Sequence, residues 1–198
     1  MKKILISLFL MFLCFGAYSQ SIKRTSGSLA FLKTTKVIGV TFTYNNLSVG
    51  KLTEEEYINK KMSEYNKQRE GWGDEWKLAW IGDRKDKYEP KFLELFSKYI
   101  GEKGVTVGTS DCAYEMVVNT DFIELGFNVG VARKNASVSI TCKFINKADG
   151  SEVGVVTVEN SAANNFWGGD FDIGYRVQES FAKAGRELAE FMIKDAKL

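Results

Sequence analysis

Three tryptophans, Trp72, Trp76 and Trp80, stand four residues apart in GWGDEWKLAWIGD, in a chain whose only other tryptophan is Trp167. Rings at that spacing share one face of a helix, and positions of the same parity also share one face of a strand. Left in solvent, they would stack on sugars or grip an apolar partner, as a contiguous patch of the kind that marks an interaction site. Buried, they would lid a core, each ring gaining on the order of several kcal/mol. Leu78, Ala79 and Ile81 add apolar bulk and favour packing, with one ring partly exposed. Gly71, Gly73 and Gly82 speak against a long regular helix, so the stretch reads as an irregular segment or a short helical turn.

Other candidates for chemistry are sparse. Histidine is absent, which removes the commonest general base, the usual partner of a Ser or Cys nucleophile and the commonest metal ligand. No glycine-rich phosphate loop is present, and GVTVGTSD lacks the lysine such a loop needs. Asp170 and Asp172 alternate in NNFWGGDFDIG as calcium ligands do, but Gly174 stands where a third ligand belongs, so both read as caps for the helix that follows and no metal site is expected. Arg133 and Lys134 form a basic pair in the glycine-rich stretch GFNVGVARKNA. A solvated loop tip is the plain reading, and a flexible glycine-bounded loop is also where a sheet protein presents a contact. Cys112 and Cys142 each lie on the apolar side of a strand-like segment, where buried free thiols are preferred and a disulfide stays open.

The chain begins MKKILISLFLMFLCFGAYSQ, a basic pair, an apolar run and small residues at Ala17 and Ser19, the order of a secretory signal peptide cleaved before Gln20. The run is shorter than the ~20 residues a membrane-crossing helix needs, and Leu13 before Cys14 argues against a lipid-modified amino terminus. Residues 1–19 are therefore expected to be removed, and no transmembrane segment is expected afterwards. Their removal takes away two of the 27 basic residues and none of the 25 acidic ones, leaving a formally neutral chain. A nucleic-acid binder would carry a concentrated positive field, and none is visible. Residues 20–198 suit one domain, and a single proline with no low-complexity tract marks no internal boundary.

The elements that must position these residues follow from periodicity. VIGVTFTY (37–44) alternates as a half-buried strand, and Thr53 with Glu56 has capping-box spacing at the head of a helix. DRKDK reads as a solvated charge run, and Pro90 opens a second helix with Phe92, Leu95, Phe96, Tyr99 and Ile100 at steps of three and four. Segments 112–125, 136–146 and 151–160 alternate as strands, the last two joined through Asp149-Gly150. Val177, Phe181, Ala184, Leu188 and Met192 stripe a final helix, on which Ala182, Gly185 and Ala189 allow close approach to a sheet. The order β-α-α-β-β-β-α predicts an α+β domain, with a mixed sheet of about four to five strands and helices mainly on one face.

GFNVGVARKNASVSI and GGDFDIGYRVQESFAKAGRELAEFM resemble a group of small secreted proteins of Gram-negative bacteria without assigned function, over roughly residues 105–195. The element order is more remotely similar to the amino-terminal domain of the periplasmic protein TolB and to the periplasmic lipoproteins that activate penicillin-binding proteins. That likeness implies a noncatalytic envelope module working by contact with other molecules.

The expectation is thus a secreted or periplasmic, noncatalytic module that binds a protein or glycan of the cell envelope, with no cofactor and no nucleic-acid partner. Arg133, Lys134, Trp167, Asp170 and Asp172 are the candidate contact residues. A carbohydrate-binding module using Trp72, Trp76 and Trp80 is the first alternative, and a small glycoside hydrolase with an unrecognised carboxylate pair the second.

Overall fold

Alternating apolar residues build a sheet with one dry face. On β2 (Val37–Thr43) and β6 (Tyr114–Glu124), Ile38, Met116 and Val118 are buried, and on β9 (Ser137–Asn146) and β10 (Glu152–Ala162) so are Val138, Ile140, Cys142, Phe144, Val156 and Val158. The computed structural model describes residues 20–108, 112–129, 132–162 and 173–198. The expected signal sequence, Trp167, Asp170 and Asp172 lie outside the described residues.

The sheet runs in the order β1-β10-β9-β6-β2-β5, where β1 is Ser21–Gly27 and β5 is Thr106–Val107. β3 (Ser48–Val49) and β4 (Leu52–Thr53) form a short antiparallel pair attached to β6 through β3. β2 lies parallel to β5 and β6, while β6, β9, β10 and β1 are antiparallel in turn. The α+β class and the mixed sheet agree with the sequence reading, but the sheet has eight strands rather than four to five. β1 is the chief addition. Its sequence SIKRTSG has no apolar alternation, and it is a strand because β10 offers it a partner along its length.

Between β2 and β5 the chain makes three helices, α1 (Glu54–Asn66), α2 (Trp72–Asp83) and α3 (Glu89–Gly101). Thr53 caps α1 with the expected reciprocal bonds: Glu56 N–H donates to the Thr53 hydroxyl and Thr53 N–H to the Glu56 carboxylate. The tryptophan stretch departs from expectation, for it is a regular helix in spite of its glycines. Gly71 precedes it in a left-handed conformation, and Gly73 lies against the Met62 backbone, where a Cβ would come within 2.6 Å of the carbonyl oxygen. Gly73 thus lets α1 and α2 pack closely. DRKDK is a π turn, not a loose charge run, and it carries α2 into α3 around the buried Tyr88.

α4 (Ile173–Ala196) completes the dry layer with its striped residues buried as their spacing predicts. It crosses α3 at Gly185, where a Cβ would stand 2.3 Å from the Phe92 carbonyl oxygen. The rings beside this contact stack, Phe92 on Phe96 at 5.6 Å and Tyr88 on Phe181 at 5.1 Å.

Both cysteines are free and buried. Cys142 pairs with Val118 within the sheet, whereas Cys112 precedes β6 and takes a hydrogen bond from Lys147. About six residues of extended chain separate the two levels, roughly 20 Å, which is out of disulfide reach.

Gly185→Ala is expected to destabilise the fold by about 1–3 kcal/mol through overpacking, seen as a lower urea midpoint. Gly101→Ala, where nothing lies within 4 Å of the added methyl, should change the midpoint little.

Candidate functional site

The tryptophans do not form an exposed platform. Trp80 is 6% exposed and belongs to the core, Trp76 is half-buried, and Trp72 is 38% exposed. They interleave with α1 as a ladder. Trp80 meets Tyr57 at 5.1 Å and stacks on Trp76 at 5.8 Å, Trp76 stacks on Tyr65 at 5.9 Å, and Tyr65 meets Trp72 edge-on at 5.6 Å. Arg69 covers Trp72 at 4.9 Å. The ladder joins two helices, so the aromatic surface is mostly spent inside the protein.

At the base of this ladder sits a polar joint. The Glu54 carboxylate accepts from Trp80 Nε1 at 2.7 Å and from the Arg84 guanidinium, which lies 4.2 Å from the Tyr44 ring. Tyr44 donates to Glu89 at 3.4 Å. Burial, helped by the Glu89 charge, holds the Tyr44 phenol well above its ordinary value, so it remains a donor. Burial likewise pushes the Glu89 carboxyl up against the pull of Lys85, the Tyr44 hydrogen bond and Arg84. Tyr57, inside the ladder, is pushed up to about 12 by burial.

The sheet face away from the helices is polar and holds the more useful geometry. Thr43 donates to Asn119 at 2.8 Å, Asn119 to Asp121 at 2.7 Å and Thr141 to Asp121 at 2.7 Å, a chain of bonds across β2, β6 and β9. At one end of this face two bulges break the alternation. β6 shifts register between Thr120 and Phe122, and β10 between Val158 and Ser161, with Asn160 at φ 53. Each bulge re-aims side chains, as bulges near binding sites do. Phe122, Glu159 and Asn160 thereby join Ser137, Ser139, Glu124 and Lys134 around a cleft of about 600 Å³, closed on one side by Gly50 and Lys51.

The ends of β6 and β9 are fastened from both sides. Gly126 adopts φ +63 and has no room for a side chain, since a Cβ would lie 2.3 Å from the Lys134 carbonyl oxygen. The glycine-rich stretch thus folds into a hairpin, β7 (Phe127–Asn128) with β8 (Arg133–Lys134), rather than an open loop. From the dry side, the buried Arg176 donates through Nε to the Leu125 carbonyl at 3.1 Å and Ser180 donates to the Ala136 carbonyl at 3.0 Å. The two motif stretches noted in the sequence therefore touch through the Ser180–Ala136 bond, and Arg176 holds the residue just before the first of them.

Charges in the cleft are mostly paired. Lys134 bonds Glu124 at 2.6 Å, and Glu159 takes Ser21 at 2.8 Å and Lys23 at 3.1 Å. The Ser21 hydrogen bond first, then Lys23, holds Glu159 below the usual carboxylate range. Among the described residues, no hydrogen bond or ion pair takes up the Lys51 ammonium, the Ser137 hydroxyl or the Asn160 side-chain amide. No group of three or more His, Cys, Asp or Glu among the described residues could hold a metal ion.

Of the sequence candidates, Lys134 lines the cleft and Arg133 is exposed beside it on β8. Ala162, the last residue of β10 before the segment bearing Trp167, Asp170 and Asp172, pairs with Ser137 of the cleft. Sequence reading missed Lys51, Phe122, Glu124, Ser137, Ser139, Glu159 and Asn160. A signal existed in the change of parity, for buried positions run 116, 118, 120 and then 123 on β6, and 156, 158 and then 161 on β10.

The class defined here is an α+β domain with helices on one face of a mixed sheet and a polar cleft on the other. No family model matches the chain, and no curated protein does. Solved structures similar to it include the PelC dodecamer from Paraburkholderia phytofirmans, 10% identical over 82% of this chain and 97% of that one, with a TM-score of 0.39. A Xanthomonas campestris protein is 6% identical over 82% and 86% of the two chains, at a TM-score of 0.39. A neuraminyllactose-binding hemagglutinin homolog from Helicobacter pylori is 11% identical over 82% and 88%, at 0.36. At these scores the likeness carries no functional argument.

The Glu89 joint makes a pH prediction. A carboxyl whose folded pKa lies above its unfolded value binds more protons in the folded state, so its ionisation lowers stability as pH rises through that window. Glu89→Gln is expected to raise Tm at neutral pH, with the gain vanishing below about pH 4, where the group is protonated in both states. A Tm series across this range checks it. A gain that grows toward acid would contradict the assignment.

Proposed function

We propose that the protein is a noncatalytic binding module of the cell envelope, exported after removal of residues 1–19, and that the cleft between the two bulges is its contact surface. The observation that carries this reading is the cleft itself, which gathers polar side chains from four strands and the β3–β4 turn and leaves three of them without partners among the described residues. Its size falls within the range of ligand sites, roughly 300–1,000 Å³. Export is supported by the leader sequence and by the start of β1 at Ser21, one residue beyond the expected cleavage point. No helix among the described residues is long and apolar enough to cross a membrane.

Arg133 belongs to the same surface, on the exposed side of the β7–β8 hairpin. Trp167, Asp170 and Asp172, contact candidates in the sequence, lie outside the described residues. A platform of tryptophans is not favoured, since Trp80 and most of Trp76 lie within the helix pair. A hydrolase reading has a carboxylate pair to use, Glu124 and Glu159, but Glu159 is held ionised and Glu124 is tied to Lys134. A glycosidase needs one carboxyl kept protonated as general acid, and Glu159 is perturbed in the opposite direction.

Mature protein immobilised on a surface is expected to retain material from a detergent-solubilised envelope fraction. Lys51→Glu combined with Lys134→Ala should reduce that retention about tenfold or more while Tm stays near the parent's. Lys103→Glu, exposed and remote in sequence from the cleft, should leave retention intact. Equal retention by parent and cleft variant would remove the cleft from the reading.

A further inference from the structure

We infer that the cleft accepts a neutral, hydroxyl-rich sugar ring, held by its apolar face on Phe122 and by its hydroxyls on the polar walls. This deepens the binding reading above and rests on it. The chemistry follows from which groups line the space and which already have partners. Phe122, at the bulge of β6, is the aromatic side chain in a cleft whose other side chains are polar at their tips and present much carbon surface along their stems. A pyranose has the matching form, with C–H bonds on one face and hydroxyls around its rim.

The walls select against net charge in the ligand. The two carboxylates, Glu124 and Glu159, and the two ammonium groups, Lys51 and Lys134, sum to zero formal charge in the lining, so no net field recruits an ion. Three of these four charges already face opposite partners, Lys134 with Glu124 and Glu159 with Lys23. A carboxylate in an ion pair still has lone pairs to accept from an O–H, since each oxygen can take more than one donor. The donors without partners among the described residues are the Lys51 ammonium, the Ser137 hydroxyl and the Asn160 amide. The Ser139 hydroxyl accepts from Asn160 N–H at 3.1 Å, which leaves its own proton for a ligand.

Acceptors and donors thus stand side by side, Glu159 next to Asn160 on β10 and Glu124 paired with Ser137 across β6 and β9. A vicinal diol, in which each hydroxyl donates once and accepts, satisfies both sets at once. A peptide strand would offer its donors and acceptors at alternate positions along an edge. At the cleft Phe122 pairs with both Ser48 and Ser139, and Ser137 with both Glu124 and Ala162, so β6 and β9 offer a peptide no free edge there.

Isothermal titration of the mature chain with lactose, cellobiose, N,N′-diacetylchitobiose and digalacturonic acid tests the inference. Heat of binding is expected for at least one neutral disaccharide, with affinity nearly constant between about 0.05 and 0.5 M NaCl, because no net ligand charge is screened. Phe122→Ala and Asn160→Ala should each weaken it about tenfold, and Phe122→Trp should preserve it. Circular dichroism of each variant verifies folding, and Phe122→Trp keeps the test decisive if Phe122→Ala does not fold.

Binding confined to digalacturonic acid and lost at high salt would overturn the neutral assignment. No sugar binding, together with envelope retention that Lys51→Glu/Lys134→Ala abolishes, would overturn the sugar and leave the cleft as a site for another ligand. Loss of neither signal in the cleft variants would overturn the binding reading itself.

Discussion

The structure depends on one close backbone contact, that of α4 with α3 at Gly185 and Phe92. With no side chain between them, the two helices lie side by side and cover the dry face of the sheet as one layer. That depth of approach stacks Tyr88 on Phe181 and seals Phe92 and Phe96. It also sets where the amino-terminal turns of α4 fall. Arg176 and Ser180 then meet the carbonyls of Leu125 and Ala136, where β6 ends and β9 is about to begin. A buried guanidinium is expensive to leave unbonded, so those two strand ends are fixed by the same helix that closes the core. Core packing on one face therefore sets the geometry of the cleft on the other.

Alternation explains why the second face is available. A strand with period-two hydrophobicity commits one side to the core and the other to water, and antiparallel neighbours tolerate that asymmetry. The solvated side here is organised, with Thr43, Asn119, Asp121 and Thr141 bonded in series. Regular strands would continue that flat polar surface to its end. The two bulges interrupt it, each adding a residue on one strand, so side chains that would lie in rows instead surround a hollow.

Much of the architecture was legible in the sequence because its signals are local. Thr53 with Glu56 marked the start of α1, Asp149-Gly150 the β9–β10 turn, and the stripe from Val177 to Met192 the buried side of α4. β1 was not legible, since SIKRTSG forms a strand only through its partner β10. The helix at Trp72 was hidden for a related reason. Gly73 counts against a helix in isolation, yet it is required where α2 meets the Met62 backbone, a contact no local rule contains. Of the candidate site, Lys134 was found through its glycine-rich surroundings, whereas Phe122 and Asn160 take their places from register shifts between strands distant in sequence.

The contrast between the aromatic ladder and the cleft bears on where recognition can occur. An aromatic ring contributes most to binding when it is exposed in the free protein and desolvated by the ligand. Trp80 and most of Trp76 are already desolvated by Tyr57 and Tyr65, so a ligand would gain little from them. Phe122 is a smaller ring but stands beside polar groups that have no partners among the described residues. Those groups exchange water for ligand without first breaking an internal bond, and the paired charges around them need not be separated. On the reading proposed above, recognition follows from which polar groups the fold leaves unsatisfied, more than from where its largest side chains are concentrated.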